Sequence, residues 1–136
     1  MKQEYSYGAV VYRVVDGKRL YLIEKMTLGH NSLPKGHIEE GETPLECVHR
    51  EIKEETNLDV EVDTGFAHTI TYSPKKDVLK DVTFYLATPT TSTIVPQKEE
   101  VQEISFLPYE EAEQTLTYES DKDTLKKAEE FLSRRR

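Results

Sequence analysis

Tryptophan is absent from the 136 residues, and cysteine occurs once, at Cys47. A lone thiol can form neither an internal disulfide nor a thiolate metal cluster, a pattern that fits a reducing compartment and predicts a cytoplasmic location. Long apolar runs are also missing. No stretch approaches the roughly 18 residues that cross a bilayer, and residues 1–8 lack the apolar core of a signal peptide, so no membrane partner is expected. Positive charge is scarce: 18 Lys and Arg stand against 26 Asp and Glu, leaving −8 at pH 7. That balance excludes a general nucleic-acid binder, which needs a net basic face. An acidic chain can still hold phosphates where a cation bridges the two. Repeats, linkers and low-complexity segments are absent too. Residues 1–136 therefore read as one domain, long enough to bury a core without staples. Monomer and homodimer remain equally open.

What is present is an alternation of strands and helices. Residues 7–15 are rich in Val and Tyr and read as a strand. Asp16-Gly17 is a hairpin turn, and residues 20–25 return. Residues 26–34 read as a loop. Thr43 at the N-cap, Pro44 at the first helical position and Glu46 at the third form a capping box, the clearest helix start in the chain. Leu45, Val48 and Ile52 are spaced to share one face. The helix is predicted to stop near Thr56, with Asn57 taking the left-handed conformation. Residues 58–72 and 78–87 read as long strands around a basic turn. A polar loop follows at 89–100, then a short strand at 103–107 and a short helix at 108–116. A final helix is predicted over 121–133, with residues 134–136 frayed. The order indicates an α/β (α+β) domain built on a mixed β-sheet.

Seven glutamates lie between positions 39 and 55. At about 100° per residue, Glu54 sits about 60° to one side of Glu51 and Glu55 about 40° to the other, so all three share a face. Like charges at that spacing repel. A hard cation such as Mg²⁺ or Mn²⁺, which favours carboxylate oxygens, would relieve the repulsion. The bland alternative is a solvated acidic face. Against it, the acidic arc adjoins the apolar arc, and the preceding loop at 34–41 holds Lys35 and His37.

From Gly36 to Leu58 the chain resembles the Nudix box, G-x5-E-x7-R-E-U-x-E-E-x-G-U, with U a bulky aliphatic. Gly36, Glu42, Arg50, Glu51, Ile52, Glu54, Glu55 and Leu58 match; Asn57 stands in place of the last glycine. The resemblance implies a Nudix fold, with the mixed sheet sandwiched between α-helices, and hydrolysis of a phosphoanhydride bond. It implies that the Gly36 carbonyl, Glu51 and Glu55 ligate Mg²⁺, with Glu54 a further ligand or water-mediated contact. It also implies that Glu42 and Arg50 pair to hold loop against helix. Mg²⁺ would neutralise phosphate oxygens, orient the chain of phosphates and acidify a water.

Residues 33–42, 82–87, 100–107 with 110–112, and 118–128 resemble the asymmetrical diadenosine tetraphosphate hydrolases within that family. The tryptophan that these enzymes often carry before Pro-Lys-Gly is replaced here by His30, Asn31 and Ser32. The resemblance implies a small nucleotide as substrate, with diadenosine tetraphosphate giving ATP and AMP. The alternatives are a 5′-triphosphate RNA end, a nucleoside triphosphate or a nucleotide sugar as substrate, or a nucleotide-sensing domain without catalysis. Lys35 and His37 match phosphate contacts, and Glu100 matches a downstream metal ligand or base, so Glu51, Glu54 and Glu100 are the catalytic candidates. Phe84, Tyr85 and Tyr118 are candidates to stack a base. Phe84 and Tyr85 are strand neighbours and point to opposite faces, so one of them is core. Lys75, Lys76 and Lys80 form a basic patch, with either a solvated turn or a polyphosphate contact as its reading. Cys47, His49 and His68 read as structural.

Overall fold

Asp16 and Gly17 both take positive φ (52° and 76°), the geometry of a tight two-residue hairpin, and so turn β1 (Lys2–Val15) back as β2 (Lys18–Met26). The computed structural model describes residues 1–135. After the hairpin come β3 (Asn31–Ser32), β4 (Lys35–His37), α1 (Pro44–Thr56), β5 (Val60–Tyr72), β6 (Val78–Pro89), β7 (Val101–Pro108), α2 (Tyr109–Thr115) and α3 (Glu119–Arg134). The strands order as β3-β2-β1-β6-β5, with β4 also on β1 and β7 on β2. β1 and β6 run parallel, and the remaining pairs are antiparallel. The sheet is thus mixed and lies between helices, as expected. None of the described helices is long and apolar enough to cross a membrane.

Strand alternation sorts the apolar side chains into two cores. Ala9 and Val11 of β1, Leu22 of β2 and Ala87 of β6 pack with Val48 and Ile52 of α1. Val10, Tyr21, Ile23, Val82, Phe84 and Leu86, their strand neighbours, pack with Leu125, Ala128 and Leu132 of α3 on the other side.

α1 begins as its sequence requires. The Thr43 side chain accepts from the Glu46 backbone, and the Glu46 carboxylate accepts from the Thr43 N–H at 2.8 Å. It ends at Asn57, whose φ of 69° is left-handed. Leu45 departs from expectation: it is exposed, and Cys47, Val48 and Ile52 form the buried stripe. The loop at 26–34 contains β3, and Pro34 is followed at once by β4. These pieces are too short to carry a period of their own and exist because β2 and β1 offer them partners. The predicted fraying at 134–136 is corrected in part. Arg134 ends α3, and Arg135 pairs with Asp63 and lies 5.5 Å over the Phe131 ring; Arg136 is outside the described residues.

Candidate active site

Arg50 organises the loop before α1. Its Nε lies 2.5 Å from Glu42 Oε2 and its Nη2 donates to Glu42 Oε1 at 3.0 Å. Nη2 also donates to the His37 carbonyl at 2.9 Å, so one guanidinium ties α1 to both the loop and β4. Nη1 donates to Glu51 at 2.8 Å and reaches Glu54 at 3.3 Å. The guanidinium holds Glu42 below the usual carboxylate range, and its four carboxylate neighbours hold Arg50 itself protonated.

Beyond Glu51 the carboxyls continue inward. Glu55 is buried, and hydrogen bonding joins it to Glu51 on one side and to Glu24 of β2 on the other. Burial first, then the facing carboxyls of Glu24 and Glu51, push Glu55 far above the ordinary range. Burial also raises Glu24 and Glu51. Glu55 Oε1 and Glu24 Oε2 are buried without any hydrogen-bond partner. Gly36 of β4 closes the cluster from the other side: a Cβ there would fall 2.0 Å from the Glu51 carboxyl carbon, so only glycine permits this approach. The Gly36 carbonyl faces α1, where the Cys47 thiol lies 3.5 Å away.

Among the described residues no three His, Cys, Asp or Glu side chains are already gathered at metal-binding distances. The donor set nevertheless suits a hard divalent cation. All donors are oxygens, two of them are buried without partners, and the carboxyls crowd one another in a way that only positive charge or protons can relieve.

On the α3 side of β4 lies a cavity of about 530 Å³. Its walls are His30, Lys35, Ile70, Tyr72, Val82, Tyr118 and Asp121, with Ser32 and Ser120. Tyr72 and Tyr118 are about half exposed, and the His30 ring centroid is 5.8 Å from that of Tyr118. Burial pushes the Asp121 carboxyl up to about 6, against the opposing pull of Lys35. Lys80 is half-buried, and burial and Lys35 lower its pKa. Lys35 thus stands between the cavity and the carboxylates, within electrostatic range of Asp121, Lys80 and Glu24.

The sequence candidates distribute unevenly over these two places. Gly36, Glu51, Glu54, Glu55, Glu42 and Arg50 come together, and Glu100, exposed ahead of β7, is near enough to raise Glu24. Lys35 and Tyr118 line the cavity. His37 lies on the exposed surface beside Glu4, 3.4 Å from its carboxylate. Phe84 is a correction. It is 0% exposed within the α3-side core, because its place in β6 turns it inward, and it has no surface to offer a base. Tyr85 points the opposite way, against the α1-side core, and does not line the cavity either. Sequence reasoning passed over Tyr72, His30, Asp121 and Glu24. Glu24 had a signal: it follows Leu22 at the strand period, so it faces α1 with an apolar neighbour.

The NUDIX domain family model matches residues 4–128. The chain is 33% identical over 107 residues to the asymmetrical bis(5'-nucleosyl)-tetraphosphatase of Rattus norvegicus, covering 76% of this chain and 72% of that one. It superposes on a crystal structure of a C. elegans Ap4A hydrolase binary complex with a TM-score of 0.86 at 26% identity, covering 96% of this chain and 98% of that one. The NUDIX domain of Shewanella oneidensis NrtR, solved with ADP ribose, shares the fold at a TM-score of 0.79 and 20% identity, over 97% of this chain and 90% of that one.

Proposed function

Because the chain belongs to the NUDIX family of hydrolases, we propose that it uses Mg²⁺ to cleave diadenosine tetraphosphate asymmetrically into ATP and AMP. The observation that carries this reading is the aromatic-walled cavity beside the carboxylate cluster, with Lys35 between them. One adenine lies between Tyr72 and Tyr118, whose rings are about half exposed. Stacking on an aromatic ring contributes roughly 1–3 kcal/mol per base. The polyphosphate passes Lys35 and Lys80, whose ammonium groups hold its oxygens, and reaches Gly36, Glu51 and Glu55 on the far side of β4.

When bound there, a divalent cation would supply charge for the phosphate oxygens and acidity for a water. The chain's own part is positioning and electrostatics. Glu51, Glu55 and the Gly36 carbonyl would hold the cation. Glu54, the most exposed carboxylate of the helix face, takes the proton of the attacking water, and Glu100 stands on the same side. Arg50 keeps β4 and α1 in register through Glu42 and the His37 carbonyl. A sensing domain would need no such set of three ionisable helix carboxylates, which favours catalysis. The relative of Rattus norvegicus is named for this asymmetrical activity.

Chromatography of the products from diadenosine tetraphosphate, with Mg²⁺ and with chelator, tests the reading. Equimolar ATP and AMP, lost on chelation, are expected. Two ADP molecules, or turnover of a nucleoside triphosphate or nucleotide sugar alone, would overturn it.

A further inference from the structure

Glu24 lies outside the signature segment, and the chemistry described above makes no use of it. It sits on β2 two residues after Leu22, on the face turned to α1, and is 1% exposed. Its Cα partners are Ser32 on β3 and Ile104 on β7, so strands cover it on both sides. Among the described residues no lysine or arginine reaches it within salt-bridge distance. Its Oε2 has no hydrogen-bond partner, and neither has Oε1 of Glu55, the carboxyl it meets. A buried carboxyl facing another carboxyl is among the least favourable arrangements a core can hold unless a cation completes it. A hydrogen bond between the two carboxyls satisfies one oxygen of each and leaves the other pair bare. Hard divalent cations take such paired oxygens as ligands.

We infer that Glu24 is a further carboxylate ligand of the divalent-cation site, sharing the cation with Glu55 and reaching it from the sheet while Glu51 and Glu55 reach it from the helix. The inference rests on the cation site of the preceding section and extends it from one helix and one short strand to the central hairpin. It places a ligand on β2, so the cation fastens α1 to the sheet as well as binding phosphate. Two roles for Glu24 are thereby separated. A purely structural Glu24 would only share a hydrogen bond with Glu55, and an amide would serve as well. A ligand Glu24 must present a bare carboxylate oxygen, which an amide replaces with a weaker donor set.

Calorimetric titration of the purified, metal-stripped protein with Mn²⁺, in the absence of any nucleotide, distinguishes them. Glu24→Gln is expected to weaken Mn²⁺ binding about tenfold or more and to shrink the rise in thermal midpoint that saturating Mn²⁺ produces. Glu24→Met, an apolar replacement of similar length, serves if the amide does not fold, and the same weakening is expected with a higher midpoint in metal-free buffer. Wild-type Mn²⁺ affinity in either variant overturns the inference. Glu55→Gln run in parallel separates the failures. If Glu55→Gln loses Mn²⁺ and Glu24→Gln does not, only the role of Glu24 fails. If neither loses it, the cation site itself is elsewhere.

Discussion

On the α1 side of the sheet the functional groups are charged and densely linked: Glu42, Arg50, Glu51, Glu55 and Glu24 form one run from the loop to the hairpin. On the α3 side they are aromatic and loosely held: Tyr72 and Tyr118 stand about half exposed around an open cavity. The first region holds crowded buried carboxyls with unpartnered oxygens; the second holds open, half-exposed surface. A change in the first should therefore alter stability and chemistry together. A change in the second should alter affinity and leave the fold alone, provided the residue is at the cavity wall and not behind it.

Phe84 is the sharpest test of that proviso, because it shares a face of β6 with Val82 of the cavity wall but does not itself line the cavity. Phe84→Ala is expected to lower stability by roughly 3–5 kcal/mol, the usual loss for a buried ring. A variant with wild-type melting behaviour and a selectively raised KM would put Phe84 back among the base contacts. Glu55→Gln comes next. Turnover should fall roughly 10²–10³-fold, the scale for loss of one electrostatic anchor of a transition state. Its metal-free melting temperature should rise, since a crowded buried carboxyl is removed. Lower stability without metal would count against the picture of a strained cluster.

Arg50→Ala is expected to cost about 2–3 kcal/mol in metal-free buffer, leaving Glu42 with only the Glu39 N–H and the His37 carbonyl without its guanidinium donor. Denaturant unfolding measures this, and an unchanged midpoint would mean that the carboxylates, not the guanidinium, hold the loop.

Asp121 tests the α3 side by pH. Its carboxyl titrates near 6 in the folded chain, against about 4 when unfolded. Between those values the folded state keeps a proton that the unfolded state has released, so stability falls as pH rises from about 4 to 6 and then levels off. Asp121→Asn has no proton to lose. It should match the wild type near pH 4 and exceed it above pH 6 by on the order of 2 kcal/mol. Thermal unfolding of both proteins across that range gives the answer, and parallel curves would remove Asp121 from the account.

The smallest effects are expected at the tyrosines. Tyr72→Ala and Tyr118→Ala should each raise KM for diadenosine tetraphosphate about tenfold, or roughly 1.4 kcal/mol, with melting temperatures near wild type. Wild-type KM in both variants would move the base out of this cavity and erase the contrast between the two sides.

The helix and its carboxylates were legible because their signals are local. Thr43, Pro44 and Glu46 specify the start within four residues, Asn57 the stop, and the spacing of Glu51, Glu54 and Glu55 their common face. The strands were legible as strands, since alternation is also local. Which face of a strand meets which helix was not. Phe84 and Tyr85 were known to point apart, but nothing near them in sequence says that Phe84 lies under α3 and Tyr85 against the core of α1. Tyr72 and Tyr118 are 46 residues apart by their numbers, and their shared cavity exists only once β5 and the start of α3 are brought together.

The sequence by itself determined the carboxylate face and the cap that fixes where the helix begins. Each depends on backbone periodicity and on contacts within about twenty residues. Only the tertiary structure decided that Glu24 ends among those carboxylates with an unpartnered oxygen, that Phe84 is core, and that Tyr72 and Tyr118 face a common cavity. Those outcomes depend on how the sheet is ordered and on which side each helix packs, and no short-range pattern encodes that choice.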